Sequence, residues 1–375
     1  MSFAFLHTAD WQIGKPFGTV PGDAGAELRA QRFGTVSTIA ALAQARGVDA
    51  VLVAGDVFDR NEVDDRTINR LLQALRGFDG DWVFLPGNHD AALPHSVWTR
   101  LRQMQPGANV VVADTPQPID RWGGRAVVLP APLRRRREGE DQTVWFDGAE
   151  TPPGAIRVGL AHGSVPTRLP GTAEAANPIP ETRVQTARLD YLALGDWHGL
   201  FEVSPRAFYS GTPETDRHRA NSSGQVLAVE IAGPGAMPRV EPIRVGRYGW
   251  RQMAVELLDG TAEALLAALA ELEHEPGQAV VSLTIAGSIS LAERHRLAQA
   301  LEGWRARLHH LDVDDGGLLE DPTPDDLDAL DSAGFVRQAL DALKAKAADP
   351  ADPEAAAARV ALRMAYLDHM RSVAS

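Results

Sequence analysis

Ala50-Val51-Leu52-Val53-Ala54-Gly55-Asp56-Val57-Phe58-Asp59 is an apolar run that stops at a glycine and continues into carboxylates. A short apolar run bounded in this way reads as a buried strand. Gly55 lets the backbone turn sharply, so Asp56 is delivered to the carboxyl end of that strand. The same arrangement recurs on either side. Phe3-Ala4-Phe5-Leu6 leads to Asp10-Trp11-Gln12, and Trp82-Val83-Phe84-Leu85 leads to Gly87-Asn88-His89-Asp90. Ile156–Leu160 leads to Ala161-His162-Gly163, and Tyr191–Leu194 to Gly195-Asp196-Trp197-His198. Any one of these motifs alone is ordinary turn or cap chemistry. Five in succession, each behind an apolar run, make a constellation that can hold two divalent metals.

Two divalent cations about 3.5–4 Å apart repel strongly, so they need a bridging carboxylate and further ligands. Asp56 is the natural bridge. Oxygen and imidazole donors without thiolate suit Mn, Fe or Zn. With no cysteine in the chain, a thiolate site or a disulfide is excluded.

These motifs resemble the calcineurin-like metallophosphoesterases, and among them the SbcD-type DNA-repair exonucleases. The likeness is carried by Leu6-His7-Thr8-Ala9-Asp10-Trp11, Gly55–Arg60, Leu85-Pro86-Gly87-Asn88-His89-Asp90, Asp190–Gly195 and Tyr209-Ser210-Gly211-Thr212-Pro213-Glu214. It is specific over residues 1–245 and architectural beyond. The resemblance implies an α/β fold of two packed mixed sheets flanked by helices. It implies one metal on Asp10, Gln12, Asp56 and His198, another on Asp56, Asn88, His162 and Asp196, and His89 as a catalytic histidine off the metals. Gln12 and Asp196 stand where the family has histidine; harder donors tilt the pair of ions towards Mn2+, with Mg2+ as the alternative.

Two such metals lower the pKa of a bridging water and neutralise phosphate oxygens, and His89 can assist the leaving oxygen. Asp59 or Asp90 can orient His89; both remain open. His7, just before the first loop, reads as structural. The function expected is cleavage of DNA, exo- or endonucleolytic, in repair or defence. The resemblance adds a coiled-coil ATPase of the SbcC type as partner and a homodimer. Two alternatives stand beside it: a small-molecule phosphoesterase, or a weakly active metal-binding subunit, the latter because of Gln12 and Asp196.

The 375 residues allow two or three domains, and 44% hydrophobic with 23% charged content is that of a globular protein. No apolar run approaches a membrane span and no signal-peptide pattern is visible, so a cytoplasmic protein without membrane contact is expected. A net charge of −13 argues against wholesale coating of nucleic acid. The densest basic run, Arg134-Arg135-Arg136-Arg137, reads either as a solvated loop or as a backbone-phosphate contact. Arg217 and Arg219 are weaker candidates for the same role.

Residues 1–245 alternate strands with helical patterns near 27–46, 65–76 and 96–104. A βαβαβ pattern over 246–315 reads as a small capping domain and 316–331 as an acidic linker. Residues 332–375 read as a helix–loop–helix; the resemblance implies that it grips the ATPase, and the alternative is that it folds back on the cap. Ser332 and Asp352 are expected as caps, and two apolar stripes are expected, Phe335, Val336, Ala339, Leu340 and Leu343, then Val360, Met364 and Leu367.

Overall fold

The strands form where the apolar runs lie. A computed structural model describes residues 2–169, 177–218, 221–322, 326–327 and 335–374, and divides into two compact units, Met1–Tyr248 and Gly249–Ser375. Arg219 and Ser332 lie outside the described residues.

In the first unit β1 (Phe3–Thr8), β2 (Ala50–Val53), β3 (Asp81–Phe84) and β4 (Val110–Val112) pair in parallel and in chain order. The crossover helices α1 (Gly22–Arg46), α2 (Asp65–Ala74) and α3 (Val97–Gln103) pack on one face. There Val36, Ile39, Ile68, Leu71 and Trp98 bury Leu6, Val51, Trp82 and Phe84. The antiparallel strands β10 (Gln225–Ile231) and β11 (Arg239–Arg244) complete the six-stranded sheet, in the order β11-β10-β1-β2-β3-β4.

The second sheet has β5 (Ala126–Ala131), β6 (Ile156–His162), β7 (Tyr191–Gly195) and β9 (Ala207–Tyr209) in parallel, with β8 (Phe201–Ser204) antiparallel at one edge. The sheets face each other through Phe5, Leu52 and Val83 from one, and Val128, Val158 and Tyr191 from the other. Each such side chain contributes about 1.5–3 kcal/mol on burial. The outer face of the second sheet packs on Phe146, Leu189 and Val184, the last from the single-turn α4 (Arg183–Thr186). This is the α/β two-sheet sandwich expected. His7 is fully buried, bonded to the Tyr191 hydroxyl (3.0 Å) and Leu194 carbonyl (3.2 Å), and burial pushes its pKa down to about 3. Its role is structural.

The second unit runs β12 (Gly249–Gly260), α5 (Glu263–Ala270), β13 (Ala279–Ile289), α6 (Leu291–Arg305) and β14 (His310–Glu320), with all three strands parallel. Leu265, Leu269, Leu297 and Leu301 of the two helices cover Leu257, Val281, Leu283 and Ile285. Residues 316–320, read from sequence as linker, belong to β14. It is an edge strand, so Asp312, Asp314 and Asp315 face solvent, and the acidic run marks an exposed face.

Two helices follow, α7 (Phe335–Ala348) and α8 (Ala355–Ala374). Asp352 accepts the Glu354 N–H (2.7 Å), and the regular helix starts at Ala355. The buried stripe of α8 is Ala355, Ala358, Leu362 and Leu367, whereas Met364 is 48% exposed. Of the expected stripe Leu367 is buried, Val360 half-buried and Met364 exposed: alanines carry close packing that a search for large side chains overlooks. On α7, Leu340 is buried against Leu362, while Phe335 and Val336 are exposed. α8 also lies against β12 and β13, and Arg363 and Arg371 pair with Asp321 and Glu256 (both 2.9 Å). No helix among the described residues is long and apolar enough to cross a membrane.

Candidate metal centre

Parallel strands of both sheets point their carboxyl ends at one place, the usual location of ligands in open α/β sheets. Asp10 and Gln12 follow β1, Asp56 follows β2, and Asn88 and His89 follow β3. His162 ends β6, and Asp196 and His198 follow β7. Asp10, Gln12, Asp56 and Asp196 all have positive φ, of 56°, 48°, 52° and 102°. Side chains other than glycine rarely adopt that conformation, and such strain concentrates at functional sites.

Close approach explains the glycines. A Cβ on Gly87 would lie 2.3 Å from Asp56 Oδ1, one on Gly55 2.2 Å from His162 Nδ1, and one on Gly195 1.9 Å from the Ala54 carbonyl oxygen. Each motif glycine leaves room for a neighbouring motif's side chain or backbone.

Asp10, Asp56 and His162 are buried, and one ligand atom from each lies within 4.8 Å of the others. His162 Nδ1 faces the Ala54 carbonyl at 2.8 Å. A carbonyl only accepts, so Nδ1 carries the hydrogen and Nε2 is turned to the cluster. There Nε2 meets Asn88 Oδ1 (2.9 Å), Asp56 Oδ1 (3.5 Å) and Asp196 Oδ1 (3.8 Å). Asp196 also accepts the Ser164 hydroxyl (2.9 Å), and its N–H points at the Asp10 carboxylate (3.3 Å). Gln12 Nε2 donates to Asp56 Oδ2 at 2.8 Å.

The electrostatics call for a cation. Burial pushes Asp10 up to about 6, against the pull of the His198 and His162 imidazoles. Burial also opposes charge on His162, yet Asp56, Asp10 and Asp196 outweigh it and raise the imidazole to about 9. Three carboxylates around one imidazole leave negative charge in a buried place, which is costly unless compensated. Hard oxygen donors with one imidazole nitrogen fit a divalent ion of the Mn or Mg type.

His89 stands beside the cluster. Its backbone N–H donates to Asp56 Oδ1 (2.9 Å), and its ring Nδ1 faces the Asp59 carbonyl (2.8 Å). The ring is thereby held with Nε2 as its other proton site. Asp59 thus acts through its main chain, because its carboxylate lies 3.7 Å from Arg60. Asp90 does not hold the ring either: it accepts the N–H groups of Gly87 (2.7 Å) and Phe58 (3.0 Å), clamping two motif loops together.

His198 is not brought into the three-residue cluster. Its Nδ1 lies 3.0 Å from Arg217 Nη2 and 3.7 Å from Asp216 Oδ1. Asp216 is a neighbour of His198 that sequence reasoning missed. Burial opposes its charge, but His198, Arg32 and Lys15 hold its pKa well below the usual carboxylate range. Arg32 (3.0 Å) and Lys15 (2.5 Å) bond its Oδ2, and Arg32 also reaches the Trp11 carbonyl (2.5 Å) beside Gln12. One signal was present: Arg32 sits between Leu28 and Val36 on the buried face of α1, where a charge needs a partner. Arg217, expected as a phosphate contact, is engaged with Asp216 (3.1 Å) and His198.

The SbcD subunit of the nuclease SbcCD of Escherichia coli, in strain K12 and in O157:H7, is 32% identical to this chain over 154 residues. The match covers 39% of the chain and 36% of each relative, so it spans about a third of their length. The family model for calcineurin-like phosphoesterase matches residues 3–200, over half of the 375. The chain belongs to the calcineurin-like phosphoesterases, hydrolases of phosphate esters that use divalent metals.

Proposed function

We propose that this protein is a phosphodiesterase that cleaves DNA, with two divalent ions of the Mn2+ type held between its sheets. The observation that carries this reading is the convergence of Asp10, Asp56, Asn88, His162 and Asp196 from five strand ends of two sheets. Asp56 would be shared between the ions, Asn88, His162 and Asp196 would serve one, and Asp10, Gln12 and His198 the other. Bound ions supply charge neutralisation for the phosphate and an activated water. The chain's own contribution is to fix the ligands before substrate arrives: Ala54 sets the His162 tautomer, Ser164 holds Asp196, and Asp216 stands beside His198. His89, steered by the Asp59 carbonyl, presents Nε2 to give a proton to the leaving oxygen.

A nuclease subunit is what the relatives' name describes, and it favours DNA over a small ester. The helices α7 and α8 would grip a coiled-coil ATPase, for which the exposed Phe335, Val336 and Met364 offer apolar surface. The unit Gly249–Glu320 would act as a cap, and the chain would work as a homodimer. A weaker-acting variant is favoured by one contact: Gln12 turns its amide nitrogen to Asp56, the wrong group for a cation.

Metal analysis combined with cleavage of plasmid, linear duplex and single strands under Mn2+ and Mg2+ tests the reading. Two ions per chain and metal-dependent cleavage of DNA are expected. Hydrolysis of small diesters with no DNA cleavage would sink the nuclease assignment, and metal bound without hydrolysis would leave the binding role.

A further inference from the structure

The densest positive charge in the chain is fastened at both ends to the loops that carry the metal centre. At one end Leu133 gives its N–H to the Pro86 carbonyl (3.3 Å) and accepts the N–H of Ala92 (2.8 Å), bracketing Gly87-Asn88-His89-Asp90. At the other, the Glu138 N–H donates to Asn177 Oδ1 (2.6 Å), and the Asn177 carbonyl accepts the N–H of Ser164 (3.1 Å), two residues beyond His162. Leu133, Glu140, Gln142 and Asn177 line a small cavity together with His162. Between the anchors Arg134, Arg135, Arg136 and Arg137 are all exposed.

The neighbouring acids do not account for this charge. Arg134, Arg135 and Arg136 make no ion pair among the described residues. Asp141, which follows closely, is taken up by Arg183 (2.5 Å) and by Thr143. Adjacent like charges repel, so such a run on a chain of net charge −13 is explained best by an anionic ligand. Four consecutive arginines offer four exposed cationic side chains on one short stretch. A nucleic-acid strand presents a phosphate every ~3.4 Å along the duplex axis, so the run can meet several at once. A small diester has only one.

Resting on the phosphodiesterase reading, we infer that Arg134–Arg136 form a strip that contacts phosphates flanking the scissile one and makes the site prefer a polymer to a small diester. The test uses the full chain with Arg134→Ala, Arg135→Ala and Arg136→Ala combined. A control of equal charge change combines Arg46→Ala, Arg76→Ala and Arg239→Ala; Arg46 and Arg76 lie in the connections that lead into the amino ends of β2 and β3, opposite the carboxyl ends that carry the site. Binding to a labelled duplex of about 30 base pairs is followed across about 50–200 mM salt without added divalent ion. Hydrolysis of bis(p-nitrophenyl) phosphate with Mn2+ is measured in parallel.

The strip variant is expected to bind at least about tenfold more weakly at low salt, with the log–log salt slope reduced by about 2–3, near 0.9 per lost contact. Its small-diester hydrolysis should match the unaltered protein, and the control should keep its salt slope. Unchanged duplex binding and slope in the strip variant would overturn the inference, as would equal losses in the control or no duplex binding by the unaltered protein. Failure of the unaltered protein to hydrolyse the small diester with any divalent ion would count against the phosphodiesterase reading itself. The salt slope would still decide the strip.

Discussion

Asp56 illustrates how much one side chain carries here. Its Oδ1 takes the His89 N–H and its Oδ2 the Gln12 amide, and it faces His162. Asp56→Ala should therefore abolish hydrolysis and lower bound metal at both positions, measured by elemental analysis. Two fully occupied ions in that variant would contradict a shared ligand. His89→Ala should keep metal content and lose about 10²-fold or more in turnover, the range for a positioned acid. Parallel loss of metal would make His89 a ligand. Gln12→His and Asp196→His should tighten the first ion and move selectivity towards Zn, respectively; unchanged affinity and selectivity in both would show that neither side chain faces metal. The motif residues were legible because each follows an apolar run and a glycine or small residue that fixes where it emerges. Asp216 was not. Its partner Arg32 is 184 residues away and becomes meaningful only after α1 packs.

Among the elements, the parallel strands that lead into the motifs were legible from short apolar runs. The second half of the edge strand β14, residues 316–320, was not, because solvent on its outer face lets acids occupy it and so mimics a linker. The terminal helices were legible as helices but only partly in their facing: Leu340 and Leu367 are buried as expected, whereas Phe335, Val336 and Met364 are exposed. Leu340 and Leu362 join α7 to α8, and Arg363 ties α8 to Asp321. Leu362→Asp should place an uncompensated charge in that contact and lower the melting of Gly249–Ser375. The two units have separate cores, so the transition of Met1–Tyr248 in a calorimetric scan should not move. A shift in both transitions would show that the units melt together. If the helices grip an ATPase, the variant should also lose it in a pull-down.

For the whole molecule, charge in the metal centre links stability to pH. Asp10 and Asp90 are raised from 3.8 to about 6 and about 7, each chiefly by burial, and His162 from 6.5 to about 9 by the surrounding carboxylates, against its own burial. All three bind protons more tightly folded than unfolded. Their contribution to the metal-free protein is present below the unfolded values and is lost as pH rises, between about 4 and 7 for the aspartates and about 6.5 and 9 for the histidine. A divalent cation would replace the protons of Asp10 and His162, so metal affinity should rise with pH. The melting-temperature gap between Mn2+-loaded and metal-free protein should widen from about pH 6 to 9; a constant gap would mean that the cation does not displace protons from these groups.

The strand order of the first sheet bears on how the chain is made. β1 holds a central place between β2 and β10, yet β10 lies more than 200 residues downstream, with the whole second sheet between them. On a ribosome, Phe3, Phe5 and Leu6 emerge well before β10 and wait with one edge unpaired until residues 225–231 are synthesised. That interval exposes an apolar edge to other nascent chains, the circumstance in which misassembly begins. Yield of folded protein should therefore depend on translation speed and chaperone supply more than the stability of the finished sandwich would suggest.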